Sequence, residues 1–179
     1  MDTPLPWPMR RALDLAAQAA RDNEVPVGAV ITRGAIQGTI QGSRQGEPQS
    51  GVQGKVQGGE IIAEAANQVE SRGQAILHAE IIAIQSASRR LQTKFLTDCT
   101  LWVTLEPCPM CAAAIAHARL GRLIFGASDP KSGGVLFGPQ IFDHPTCHHR
   151  PEVGSGIGAA QSETLLKTFF AQRRSAVTP

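Results

Sequence analysis

No apolar run in the 179-residue chain approaches the roughly 18 residues that a membrane-crossing helix needs. Charge is sparse. Asp, Glu, Lys and Arg make up 18% of residues against 42% hydrophobic, the balance of a soluble globular protein rather than a disordered or membrane one. The N-terminal stretch MDTPLPWPMRRALDLAAQ carries Pro4, Pro6 and Pro8 where a signal peptide needs an apolar core. Export is therefore not expected, and a cytoplasmic location is. Cysteine is scarce too: Cys99, Cys108, Cys111 and Cys147 are too few for a disulfide scaffold. In a reducing compartment a close Cys pair favours metal or redox chemistry. Net charge is only +2, from 17 basic and 15 acidic residues. The last 59 residues hold six basic side chains (Arg122, Lys131, Arg150, Lys167, Arg173, Arg174) and four acidic ones, so the whole surplus is C-terminal. Such a surplus is compatible with local phosphate contact and equally with a solvated face.

The length suits one domain over residues 1–179. Residues 7–23 read as an amphipathic helix, with Met9, Leu13, Ala16, Ala17 and Ala20 at helical spacing and Pro8 in the first turn. Residues 25–32 (VPVGAVIT) read as a strand and 60–69 as its hairpin partner. Between them, Gln-Gly recurs at 37, 41, 45, 53 and 57. Glycine at that density cannot hold a helix, so 34–59 is expected to be a mobile, low-complexity insertion at the hairpin tip, with a short ribbon as the alternative. Residues 75–91 read as a helix entry and helix, 99–106 as a strand, 107–121 as a helix, and 122–128 as a strand. A loop over 129–150 leads to a strand within 150–157 and a helix over 161–176. Strands alternating with helices predict an α/β sandwich around one sheet.

The chemistry centres on TLEPCPMC, residues 104–111. Cys108 and Cys111 lie three apart at a helix start and share a face. The unpaired N–H groups there favour thiolates. That suits a metal site, a redox pair or, with the apolar residues that follow, simple packing. His78 and Glu80, in HAE at 78–80, tip the balance towards metal. One imidazole and two thiolates leave a fourth tetrahedral position for water, the pattern of a catalytic zinc. Zinc lowers the pKa of that water, and a carboxylate beside it can move the proton. Residues two apart point about 200° apart on a regular helix. His78 and Glu80 therefore reach one site only if His78 lies at the entry, off helical geometry. Without the cysteines, Glu80 reads as an ordinary first-turn glutamate.

HAE followed by PCPMC resembles the established H-x-E…P-C-x-x-C signature of the zinc-dependent nucleobase deaminases. The segments VPVGAV (25–30), IFGASDPKSG (124–133), HHR (148–150) and LLKTFFAQRR (165–174) extend the resemblance to the bacterial tRNA-specific adenosine deaminases, over nearly all the chain except 34–59. The resemblance implies a three-layer α/β/α cytidine-deaminase-like fold: a five-stranded mixed sheet with helices on both faces. It further implies a homodimer, one Zn²⁺ per subunit, no organic cofactor, and hydrolytic deamination of adenosine to inosine at the wobble position of a tRNA anticodon stem-loop. On this pattern His78, Cys108 and Cys111 match the zinc ligands and Glu80 the proton shuttle. Asn67 matches an asparagine that bonds the flipped base, the N–H of Ala79 also contacts it, and Val27 and Pro26 wall the pocket. Asp129, Lys131, His144, Phe170, Arg173 and Arg174 match substrate-side positions. For Asp129 and Lys131 the plain alternative is a loop turn, and for the last helix an amphipathic segment with a basic end. Ser128 stands where relatives can carry Arg. The same metal site would also serve a deaminase of a free base such as guanine or cytosine, or a non-catalytic zinc-stabilised RNA-binding subunit.

Overall fold

The computed structural model describes residues 4–34, 39–40, 52–53 and 59–177. Helix α1 (Trp7–Arg21) begins with proline in its first turn and buries Met9, Ala12, Ala16 and Ala19 along one stripe. Strand β1 (Gly28–Arg33) follows. Two short strands, β2 (Thr39–Ile40) and β3 (Val52–Gln53), pair antiparallel as a ribbon. The chain then enters β4 (Glu60–Ala66), a one-turn helix α2 (Val69–Arg72) and helix α3 (Ala79–Leu91). Strand β5 (Cys99–Leu105), helix α4 (Pro109–His117) and strand β6 (Arg122–Ala127) make a parallel crossover. A loop region with one turn of 3₁₀-helix, a short strand β7 (Glu152–Gly154) and helix α5 (Ala159–Val177) complete the fold. The mobility expected of 34–59 falls mostly outside the described residues.

The main sheet has the order β4-β1-β5-β6-β7. β1 pairs antiparallel with β4 and β5, while β5–β6 and β6–β7 are parallel, so the sheet is mixed as expected. Alternation along the central strands sorts side chains into two cores. Ala29, Ile31, Leu101, Val103, Leu123 and Phe125 face α3 and α4, meeting Ala79, Ala83, Ala87, Ala112 and Ile115. Val30, Trp102 and Ile124 face the other way, onto Met9 and Ala12 of α1. Trp102, fully buried, donates its indole N–H to Thr32 Oγ1 at 3.1 Å, so its polar edge is satisfied. α1 approaches the sheet closely because Gly28 has no side chain. A Cβ there would collide with the Ala12 carbonyl.

The observed strands are shorter than the hydrophobic runs imply. β1 starts at Gly28 rather than residue 25, and β4 ends at Ala66 rather than 69. The last strand keeps only Glu152–Gly154 of the expected 150–157.

Candidate metal centre and base pocket

Two helix N-termini converge beyond the C-terminal end of β5. Cys108 is the N-cap of α4 at φ −66°, ψ 168°, and Cys111 lies in that helix's first turn. His78 is the N-cap of α3 at φ −70°, ψ 151°, an extended backbone. That position lets the imidazole and Glu80 serve one site, as the two-residue spacing demands. The His78 nitrogen and the two sulfurs lie within 4.8 Å of one another. His78 Nδ1 is 3.6 Å from Cys108 Sγ and 3.5 Å from Cys111 Sγ.

These distances test the fit of a metal. A zinc tetrahedron with Zn–S of about 2.3 Å and Zn–N of about 2.0 Å has S···N edges of about 3.5 Å. The His78–cysteine separations match that edge. The soft donor set of two sulfurs and one imidazole suits zinc. Among the described residues no fourth His, Cys, Asp or Glu joins this cluster, which leaves one coordination position to a small ligand.

Without metal, the two thiols share a proton unequally. The hydrogen bond from Cys111, followed by that with His78, draws the Cys108 thiol down to about 4 despite its burial. Cys111 is pushed up by its hydrogen bond to that thiolate, by burial and by the charge of Glu80. The hydrogen bond to Cys108 raises the His78 imidazolium above its ordinary value, against burial and helped by Glu80. Metal binding therefore displaces protons from the cluster. Glu80, 4% exposed in the first turn of α3, has its carboxyl raised above the ordinary glutamate range chiefly by burial. A buried carboxyl beside the cluster is placed to accept a proton and return it.

Beside the cluster lies a cavity of about 250 Å³. Val27, Asn67, His78, Glu80, Cys108 and Asp129 line it, so six of the residues singled out from sequence meet in one place. Ala79 is the first residue of α3, where backbone N–H groups have no partner within the helix. The other sequence candidates do not line this cavity. Lys131 is exposed, and its backbone N–H donates to Asp129 Oδ1 at 3.1 Å, alongside that of Ser132. Asp129 thus folds its own loop turn while bordering the pocket. His144 sits in a separate groove of about 520 Å³ and hydrogen-bonds Thr146 Oγ1 at 2.9 Å. On α5, Phe169 is buried and Phe170 is 43% exposed. Arg173 donates to the Asn23 carbonyl at 2.7 Å and covers the Phe169 ring at 4.8 Å, so it ties α5 to the turn after α1. Arg174 lies in the last turn of α5.

Two buried carboxylates escaped the sequence reading. Glu106, 2% exposed, follows β5. Its Oε1 accepts the N–H groups of Val135, Leu136 and Phe137, at 3.1, 2.8 and 3.1 Å, and its Oε2 accepts that of Asp129 at 2.9 Å. It pins the loop carrying Asp129 against the junction carrying Cys108. Glu24, 1% exposed, accepts the Ser71 N–H at 2.7 Å and the Asn67 side-chain N–H at 3.3 Å. Burial pushes its carboxyl up, but hydrogen bonds from Ser71, Glu70 and Asn67 outweigh that and hold it below its ordinary value. The available signal was an acidic residue abutting an apolar strand.

Comparison with known proteins adds an independent line. A family model described as MafB19-like deaminase matches residues 7–174. The chain is 45% identical over 166 residues to a tRNA-specific adenosine deaminase of Rickettsia bellii, covering 93% of this chain and 99% of that one. It is also similar to a solved structure from work on A-to-I editing by tRNA:A34 deaminases at the wobble position of transfer RNA. That match has a TM-score of 0.75 and 38% identity, covering 89% of this chain and 99% of the other. A guanine deaminase from Nitrosomonas europaea, 20% identical, shares the fold at a TM-score of 0.66 over 92% of this chain and 83% of its own.

Proposed function

Because this chain belongs to the MafB19-like deaminases, and among them to the tRNA-specific adenosine deaminases, we propose that it deaminates adenosine to inosine at the wobble position of a tRNA anticodon. The observation that carries the reading is the meeting of three side chains able to hold a metal, a buried carboxyl outside that group and a cavity of about 250 Å³, roomy enough to admit one splayed-out base.

His78, Cys108 and Cys111 would hold one zinc ion per chain. Bound there, zinc makes a water acidic enough to act as a nucleophile near neutral pH. Glu80 would take one proton from the attacking water as its oxygen bonds to C6 and deliver it to N1. It would then take the proton of the new C6 hydroxyl and pass it to the C6 amine, so that the C6–N bond breaks as the C6 carbonyl forms. Water is consumed and ammonia leaves. Asn67 and the N–H of Ala79 hold the base in register, while Val25 and Val27 line the pocket and keep solvent from it. An unpaired anticodon-loop base is splayed out at low cost, which makes such a loop a suitable substrate. Exposed Phe170, Lys131 and the basic end of α5 supply candidate contacts to neighbouring nucleotides and phosphates. The working form is a homodimer in the cytoplasm, with the anticodon stem-loop as its partner.

The direct test offers a stem-loop with adenine at the wobble position, alongside free guanine and free cytosine. Inosine in the stem-loop with the free bases untouched is expected. Turnover of a free base with the stem-loop unchanged would overturn the proposal.

A further inference from the structure

Asn67 does not stand alone at the pocket wall. Behind it lies Glu24, 1% exposed, to which the mechanism above gives no part. Its oxygens take hydrogen bonds from neutral donors only: the backbone N–H groups of Ser71 and Glu70, the Ser71 hydroxyl and the Asn67 amide. Oε1 accepts the backbone N–H of Ser71 at 2.7 Å, and Oε2 accepts the Asn67 Nδ2–H at 3.3 Å. The Asn67 backbone is held as well, its N–H donating to the Val27 carbonyl at 3.1 Å. The only freedom left to this residue at the wall is rotation of its side chain. An ionised carboxylate only accepts hydrogen bonds. It admits the amino end of the amide and refuses the carbonyl end, so it fixes a choice that an isolated amide leaves open.

We infer that Glu24 is a positioning residue for the deamination, holding the Asn67 amide with Nδ2 inward and Oδ1 turned away from Glu24, on offer to the base. An amide so fixed presents an acceptor and a second N–H side by side, the pattern that asparagine uses against the N6 and N7 edge of adenine. Turned over, it would set its Oδ1 against the N7 acceptor and its NH₂ against the N6 donor, and both bonds would be lost. The inference rests on the reading of Asn67 as the base contact.

Glu24→Gln tests it. The Ser71 N–H keeps the glutamine oxygen as its acceptor, so the glutamine NH₂ falls opposite Asn67 and turns its amide over. On the zinc-loaded full chain, the variant is expected to keep its metal content and fold and to lose about tenfold in kcat/KM on the stem-loop. The decisive measurement is the cycle with Asn67→Ala. Because Glu24 acts through Asn67, the Glu24→Gln loss shrinks to under about twofold when Asn67 is already alanine. Equal losses in both backgrounds, or no loss in the wild-type background, overturn the inference. Stem-loop affinity measured on Glu80→Ala enzymes gives the same cycle where turnover without Asn67 is too slow to follow. Absence of wild-type turnover on the stem-loop would instead remove the proposed function, and this inference with it.

Discussion

In the proposed reaction, Glu80 and the two cysteines divide the chemistry at the scale of single side chains. Glu80 is buried beside the cluster but supplies no ligand atom to it, so it can move protons without holding the metal. Glu80→Ala is therefore expected to keep one zinc per chain and its melting temperature while losing roughly 10²–10⁴ in kcat. Metal analysis and inosine formation on the same preparation check both halves. Cys108→Ala removes one of the three proposed ligands and a thiol drawn down to about 4. It should lose zinc during purification and turnover with it, and added zinc should not restore full occupancy. Glu24 makes a pH-dependent contribution of known sign. Its folded carboxyl lies below the ordinary value, so the charged form is the one the fold favours. The stabilisation, of order 1–2 kcal/mol, is complete above the ordinary glutamate pKa of about 4.3. It is lost as pH falls through the lowered folded value. Urea unfolding should show wild type more stable than Glu24→Gln at pH 7, with the gap closing as pH falls below about 4.

Elements place these residues, and they explain what could be read from letters alone. His78 and Cys108 were legible because each precedes a helix whose first turn carries a second functional residue. Spacing then forces the cap position for His78, and the backbone angles bear this out. The hairpin strands, the strand–helix–strand succession over 99–128 and the last helix were legible from the apolar runs and their turn signals. Strand ends were not. Val25, Pro26 and Val27 look like strand, but they form a turn in which the Val27 N–H donates to the Val25 carbonyl at 2.7 Å, and the sheet starts at Gly28. Glu24 and Glu106 were illegible for a different reason. Their partners are mostly backbone N–H groups of distant segments, and a backbone N–H has no letter in the sequence. The close packing of α1 on β1 makes an element-scale prediction. Gly28→Ala puts a methyl group into the Ala12 carbonyl and should cost roughly 1–3 kcal/mol, read as a lowered melting temperature with zinc content unchanged.

Across the molecule, the cavity and the proposed metal site lie at one end of the sheet, and the hairpin turns into the insertion at the other. Val27 precedes the first residue of β1 at the cavity, whereas Arg33, the last, pairs with Glu60 and with Cys99 at the opposite end of β4 and β5. The Gln-Gly segment leaves and rejoins the fold there. Replacing 37–58 with a tight turn is thus expected to leave kcat/KM on the stem-loop within about twofold; a tenfold rise in KM would assign that segment a role in binding. Charge is distributed to the same effect, with the basic surplus confined to the C-terminal third. That distribution predicts a KM that rises with salt, with few phosphates involved.

The central claim is that this site deaminates a wobble adenine in RNA through Glu80 and a metal held by His78, Cys108 and Cys111. Its most direct test is inosine content at the wobble position of an anticodon stem-loop, measured with wild-type and Glu80→Ala enzymes of matched zinc content. Inosine that accumulates stoichiometrically with ammonia in the first and is absent in the second is the predicted result. Equal inosine in both, or none in the wild type, would contradict it.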